Sequence, residues 1–180
     1  MSRQIALLRG INVGGHRPFS KAAQQALAES LGFREVSVLL QTGNIVFADP
    51  GTPPGETARI IQDRISADLG FSVPVTVRTR DELAAIVAAN PFPQAVAVPK
   101  SLHVTFLSDV PADASRLEAL DLGSYAPDRF RLIGRELYLW CPDGIGRSRL
   151  ADAVSRAPLG VTATARNWNT VNKILALADA

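Results

Sequence analysis

The stretch EVSVLLQTGNIVFA, from Glu35 to Ala48, places two apolar runs on either side of Gln41, Thr42 and Gly43. Three intervening residues are few enough for a β-hairpin, and glycine supplies the backbone freedom that a tight connection needs. We therefore predict two adjacent antiparallel strands here, and the fold follows from what lies before and after them.

The segments that flank this hairpin alternate between helix and strand patterns. Before it, IALLRG (5–10) predicts a short strand, and SKAAQQALAESLGF (20–33) predicts an amphipathic helix capped by Ser20 and ended at Gly32. After it, GETARIIQDRISADLG (55–70) predicts a helix and VPVTVRT (73–79) an alternating strand. The predicted order is β-α-β-β-α-β.

The second half of the chain repeats this order. Its predicted elements are the strand 101–108, the helix 112–122, the hairpin 129–134 and 136–141 turning at Gly134 and Arg135, the helix 146–157, the strand 160–165 and a terminal helix 167–179. The order is that of the ferredoxin-like split βαβ unit. We predict an α+β fold of two tandem ferredoxin-like (βαββαβ) halves, with mainly antiparallel sheets and an added C-terminal helix. The sequence leaves open whether the two sheets pair face to face or side by side.

A proline-marked segment, NPFPQAVAVPK (90–100), follows a predicted helix from Asp81 to Ala89 and is the best internal boundary. We expect a first half over residues 1–90, a connector over 91–100, and a second half with the C-terminal helix over 101–180. At 180 residues, of which 47% are apolar, the two halves are expected to form one compact unit.

Composition argues against several classes of protein. The chain has no apolar run of about 18 residues and no secretory leader, so we expect a cytoplasmic protein without a membrane partner. A single cysteine, Cys141, excludes an internal disulfide, and two distant histidines give no metal-ligand spacing. Neither a metal nor a cofactor is indicated.

The charge is small overall, +2, but it is unevenly distributed. Residues 1–28 contain four basic side chains and no acid, and the stretch from Arg147 to Lys173 contains five against the single Asp152. If the two basic ends meet in space, they form a cationic surface that attracts an anion. A scatter of solvated charges is the alternative.

The loop RGINVGGHR, Arg9 to Arg17, is the strongest functional candidate. Its glycines can expose backbone N–H groups at the start of a helix, where the helix dipole favours negative charge. The spacing G-x-x-x-G-G matches neither the dinucleotide fingerprint nor the P-loop. The predicted ligand-binding residues of this loop are Arg9, Gly10, Asn12, Gly14, Gly15, His16 and Arg17. Alternatively, the glycines only permit a tight connection.

Two further stretches offer polar side chains. Gln41, Thr42 and Asn44 belong to the first hairpin, although Gly43 and Asn44 also suit a plain turn. In TARNWNTVNKIL (164–175), Arg166, Asn167 and Asn169 can form an anion grip that converges on the first loop, whereas Asn167 can instead cap the last helix. These residues complete the predicted binding set.

The sequence does not identify catalytic residues. Cys141 ends an apolar strand, as a buried small hydrophobe does, and His103 alternates with apolar residues in a strand. His16 is the one histidine in a predicted exposed loop. The motif G-x-S-x-G is absent, and no pair of carboxylates stands out.

ALLRGINVGG, QTGNIVF, RDELAAIVAANPF and TARNWNTVNKIL together resemble the bacterial family known as domain of unknown function sixteen-ninety-seven. The residues that match its signature stretches are Arg9, Gly10, Asn12, Gly14, Gly15, Gly43, Asn44, Arg166, Asn167, Trp168 and Thr170. Thr42 stands where we expect serine, a change that keeps the hydroxyl. The resemblance implies a tandem αβ architecture and leaves the activity open.

Three functions follow as hypotheses. The leading one is a module that binds a phosphate-bearing ligand, nucleotide or nucleic acid, in a cleft formed by the first loop, the first hairpin and the start of the C-terminal helix. A second is a small enzyme acting on an anionic metabolite, with arginine clamps and His16 as acid or base. A third is an interaction module, including a homodimer, whose open sheet faces or edges are covered by another copy.

Overall fold

The computed structural model describes residues 2–180. Its first seven elements are β1 (Arg3–Leu8), α1 (Lys21–Ser30), β2 (Ser37–Leu39), β3 (Asn44–Ala48), α2 (Pro54–Leu69), β4 (Val75–Thr79) and α3 (Arg80–Ala88). Two short 3-10 turns, Pro93–Ala97 and Pro99–Ser101, occupy the proline-marked segment.

The remaining elements repeat this order. They are β5 (Leu102–Leu107), α4 (Ser115–Glu118), β6 (Arg129–Ile133), β7 (Glu136–Trp140), α5 (Arg149–Arg156), β8 (Ala163–Asn167) and α6 (Trp168–Asp179). Each half is therefore β-α-β-β-α-β followed by a helix, and α3 corresponds in chain order to α6. The predicted helix 112–122 is the largest difference, because only one turn of it is α-helical.

Each half forms a four-stranded antiparallel sheet with the same strand order. The orders are β2-β3-β1-β4 and β6-β7-β5-β8, in which the first strand of each half lies between the third and the fourth. Central register pairs are Ile5↔Val46 and Val104↔Tyr138. This is the ferredoxin-like arrangement, so the predicted fold class is confirmed.

The chain divides into two compact units. One comprises the residues up to Ala85 together with Lys173–Ala180, and the other is Ile86–Asn172. The C-terminal segment of the chain thus belongs with the first half, which the order of elements in the sequence does not reveal.

In the first unit, one face of the sheet packs under α1 and α2. Ala6, Leu8 and Phe47 from the strands form a common core with Ile61 and Ile65 of α2. This packing follows from the apolar stripe of α2, whose members recur at helical spacing.

The central strands are buried on both faces. Successive side chains of a strand point to opposite faces, yet Ile5 and Ala6 of β1 are both buried, as are Tyr138 and Leu139 of β7. At these strands the sheets offer no open face, so the hypothesis of an open sheet face covered by another copy does not apply there.

Candidate functional site

The loop between β1 and α1 is a small β-hairpin. Val13 and His16 form an antiparallel bridge around Gly14 and Gly15, whose φ angles of 57° and 76° are both left-handed. The His16 N–H donates to the Val13 carbonyl over 2.9 Å. Two consecutive left-handed residues make the two-residue turn that matches strand twist. We call residues 12–17 the glycine hairpin.

Gly14 and Gly15 turn the hairpin before the start of α1, and contact between their N–H groups and a ligand stays a prediction. Ser20 caps that helix, as predicted, and its hydroxyl accepts from the Ala23 N–H over 3.1 Å. Gly14 and Gly15 lie at the tip of the hairpin and precede the capping residue Ser20 in the sequence.

The side chain of Asn12 fixes the base of the glycine hairpin. Its amide donates to the carbonyls of Phe19 and Gln41 over 2.7 and 2.6 Å, and its oxygen accepts from the Phe19 N–H over 2.8 Å. Gln24, fully buried in α1, donates to the same two carbonyls over 2.9 and 3.3 Å. These bonds tie the hairpin to the turn between β2 and β3.

That turn, residues 40–43, is held against the end of β1. The Leu8 N–H donates to the Gly43 carbonyl over 2.8 Å, and a Cβ on Gly43 would lie 2.5 Å from the Leu8 Cβ. Asn44 is 0% exposed and its amide donates to the Leu39 carbonyl and the Thr42 hydroxyl. Gly43 and Asn44 therefore shape the turn, and Asn44 has no surface for a ligand to touch.

Besides Gly10, Gly14 and Gly15, the exposed members of the predicted set in this region are Gln41, Thr42 and three side chains that can carry a positive charge, Arg9, His16 and Arg17. These three form no ion pair with any residue in the described range 2–180.

The Arg17 guanidinium lies next to Gly10, the residue that follows Arg9 in the chain. Arg9 is anchored by its N–H, which donates to the Pro74 carbonyl over 3.0 Å. The guanidinium of Arg17 lies back over Gly10, since a Cβ at Gly10 would lie 3.4 Å from its Nη1. The Arg17 cation thus lies beside the residue that follows Arg9.

The C-terminal candidates belong to the second unit. Arg166 is 9% exposed, and its Nη1 donates to the Thr164 hydroxyl and the Ala165 carbonyl over 2.8 and 2.9 Å. Burial lowers the pKa of this guanidinium to about 10.

The two asparagines of that stretch differ in environment. Asn167 caps α6, and its side-chain oxygen accepts from the Thr170 N–H over 2.9 Å, while Asn169 is exposed in the first turn. Convergence of these residues with the first loop stays a prediction.

Arg166 has a counterpart in the first half. Arg78 occupies the same position of β4 that Arg166 occupies in β8, is 1% exposed, and also donates to the carbonyl of the residue before it. Because both halves bury an arginine at the same strand position, the pair indicates a structural role for this arginine in the repeated fold.

Cys141 and His103 are withdrawn from solvent to different degrees, whereas His16 is exposed. Cys141 is fully buried, and desolvation raises the pKa of its thiol, which disfavours the reactive thiolate. Desolvation also lowers the pKa of His103, whose Nδ1 is buried without a hydrogen-bond partner. Within residues 2–180 no group of three or more His, Cys, Asp or Glu side chains is arranged to hold a metal ion.

Sequence reasoning missed two residues of this region. Gln24 is a polar residue at a buried position of the amphipathic helix, which is a signal that could have been used. Leu40 is 44% exposed with a left-handed φ of 60°. Nothing in the local pattern indicates that conformation, and the next residue, Gln41, accepts the hydrogen bond from Asn12.

A family model described as "Protein of unknown function (DUF1697)" matches residues 1–138. The chain belongs to the DUF1697 family. The matched range includes the glycine hairpin and the β2–β3 turn of this DUF1697 chain, and it ends before β8 and α6. No curated protein matches the chain.

The solved structure of a conserved bacterial protein from Streptococcus pneumoniae is similar to this DUF1697 chain over almost its whole length. The likeness has a TM-score of 0.75 and covers 98% of each chain at 16% identity. At that identity it shows the fold alone. No helix in the described part of the chain is both long and apolar enough to cross a membrane.

Proposed function

We propose that this DUF1697 protein binds a phosphate-bearing anion at the glycine hairpin. The observation that carries the proposal is a set of three exposed side chains without an acidic partner in residues 2–180. His16 and Arg17 lie on the glycine hairpin, which hydrogen bonds hold in place, and Arg9 lies between β1 and the hairpin. Arginine binds phosphate through paired, charge-assisted hydrogen bonds, and the imidazole adds a further donor.

Backbone strain at the same place supports the proposal. The described chain has four non-glycine residues with a left-handed φ, and three of them, Asn12, Arg17 and Leu40, lie in the hairpin and the adjoining turn. Such residues each cost roughly 1–3 kcal/mol and cluster at functional sites. The Asn12 network holds the backbone in this state, so the backbone of the site needs no rearrangement when a ligand binds.

The repeat within the chain provides an internal comparison. The equivalent connection between β5 and α4, residues 108–114, contains no glycine and carries Asp109 and Asp113. Because the same fold forms there without a basic hairpin, the fold does not require the features of the first loop. Selection for ligand binding would account for the glycines and basic residues of the first loop.

Calorimetric titration of the protein with inorganic phosphate and with AMP tests the proposal, with thermal unfolding as a second readout. A ligand that binds only the native state raises the Tm. We expect Arg9→Ala and Arg17→Ala each to weaken binding about tenfold, the effect of losing one charge-assisted contact worth about 1.4 kcal/mol.

Arg59→Ala is the matched control, because Arg59 is an exposed arginine on α2 of the same unit. It should retain the wild-type affinity. The proposal is wrong if inorganic phosphate, AMP and longer phosphate-bearing polyanions all fail to bind, or if Arg59→Ala weakens binding as much as the hairpin variants do. Circular dichroism verifies that each variant is folded.

A further inference from the structure

We infer that the anion is the sugar-phosphate backbone of a nucleic acid, contacted without regard to base sequence. This inference rests on the proposed function and deepens it by naming the ligand class. It follows from the shape of the hairpin, from the arrangement of its cations and from the side chains between them.

The shape is convex, and small ligands bind in concave sites. Residues 13–18 are all exposed, and Val13 at the tip is 63% exposed. Two cavities of the first unit, of about 460 and 330 Å³, are lined by other residues and include none from 9–20. A projecting cationic hairpin fits an extended polyanion better than it fits a mononucleotide.

The cations follow one another along the loop. Arg9 follows β1, Arg17 closes the hairpin and Lys21 begins α1, and all three are exposed, as is the His16 imidazole beside Arg17. Lys21 also forms no ion pair with a residue in the range 2–180. A polynucleotide offers phosphates in series, so several of these side chains can be neutralised at once, with release of counterions.

The exposed polar side chains next to the cations suit backbone contacts. Gln41 and Thr42 expose a carboxamide and a hydroxyl on the turn that Asn12 joins to the hairpin. Such groups bond phosphate and sugar oxygens in nucleic-acid complexes. Apart from the His16 imidazole, neither loop exposes an aromatic ring on which a base could stack, since Phe19 is buried. The contacts are therefore independent of base identity.

Fluorescence anisotropy with labelled oligonucleotides of about 20 nucleotides, single- and double-stranded and in two unrelated sequences, tests the inference. We expect similar affinities for the two sequences. For three neutralised phosphates, the logarithm of the association constant should fall with the logarithm of salt concentration with a slope of about −3 for duplex and about −2 for single strands. Unlabelled AMP should compete only at a large excess.

The variants Arg9→Ala, Arg17→Ala and Lys21→Ala should each reduce that slope by about one for duplex, whereas Arg59→Ala should leave it unchanged. Binding of AMP as tight as that of the oligonucleotide would overturn the inference and leave the proposed function standing. So would binding to phosphatidylserine-containing vesicles without binding to oligonucleotides. If phosphate, AMP and oligonucleotides all fail to bind, both ideas are wrong.

Discussion

Gly43 marks the closest approach between the β2–β3 turn and β1. Its φ of 92° favours glycine, and there is no room for a Cβ because the Leu8 Cβ would lie 2.5 Å away. The two constraints act together, since the left-handed backbone aims the missing Cβ at a buried strand. Glycine is therefore required at position 43 for the β2–β3 turn to pack against β1 and to bond to the glycine hairpin.

We expect Gly43→Ala to lower the free energy of unfolding by about 2–4 kcal/mol, the combined cost of backbone strain and overpacking. Gly51→Ala is the matched control, because Gly51 has a φ of 82° but no atom within 4 Å of the point where a Cβ would lie. It should cost only the strain, about 1–2 kcal/mol. Urea unfolding of both variants measures the difference, and equal losses would contradict the steric argument.

His103 lies in β5 with its Nδ1 buried and without a partner, and burial lowers its pKa. Because the folded pKa is below the unfolded value of about 6.5, the unfolded state binds the proton more readily. Stability is then full above about pH 6.5 and declines as the pH falls below it, by at most about 1.4 kcal/mol per unit for one proton.

Urea unfolding at pH 7.5 and at pH 5.5 measures how stability depends on pH. This pH range lies above the range in which ordinary carboxylates titrate. His103→Gln, which cannot titrate, should lose less stability across the window than the wild type does. Identical losses in the two proteins would assign the dependence to other groups.

At the scale of elements, the two halves use different side chains to cap the helix that follows their fourth strand. After β4, Thr79 and Glu82 form a reciprocal cap, with bonds of 3.1 and 2.8 Å, at the start of α3. After β8, Asn167 alone caps α6 through Thr170. The cap is thus a property of the strand-to-helix connection in both halves, which favours the structural interpretation of Asn167.

Asn167→Ala should lower the free energy of unfolding by about 1 kcal/mol, the usual cost of losing an N-cap, while Asn167→Asp should retain most of the stability. If the side chain only caps the helix, phosphate affinity should be the same in both variants. Thermal unfolding and calorimetric titration give the two readouts. Loss of phosphate binding in Asn167→Ala with the fold intact would instead support its place in the predicted binding set.

The order of elements could be predicted because strand and helix periods differ clearly and glycine or proline separates most segments. The helix predicted over 112–122 is an exception. Its one α-helical turn, Ser115–Glu118, has a single buried residue, Leu117, so little packing stabilises a longer helix there.

The candidate site was predictable only in part. The pair Gly14-Gly15 between Val13 and His16 has the composition of a two-residue hairpin turn, and the exposed arginines follow from the charge pattern. The bonds from Asn12 to Gln41 and the close approach of Gly43 to Leu8 join residues about 30 positions apart in sequence. Such contacts depend on tertiary structure, which local patterns do not specify.

At the scale of the molecule, the last residues of the chain belong with the first unit. Arg3 donates to the Ala180 carbonyl over 3.2 Å, and Arg80 pairs with Asp179 over 2.6 Å. Exposed pairs of this kind contribute little by themselves. The buried side chain of Ile174, which is 1% exposed, contributes most of the stabilisation that we expect from this segment.

We therefore expect Ile174→Ala to destabilise the protein by about 2–4 kcal/mol, as large-to-small changes in a core do. Hydrogen exchange followed by mass spectrometry should locate the effect, with faster exchange in β1 and β4, because Lys173–Ala180 belongs to the unit that contains them. Lys173→Ala, an exposed position of the same helix, is the control and should exchange like the wild type. An increase confined to Ile86–Asn172 would mean that the C-terminal segment stabilises the second unit instead.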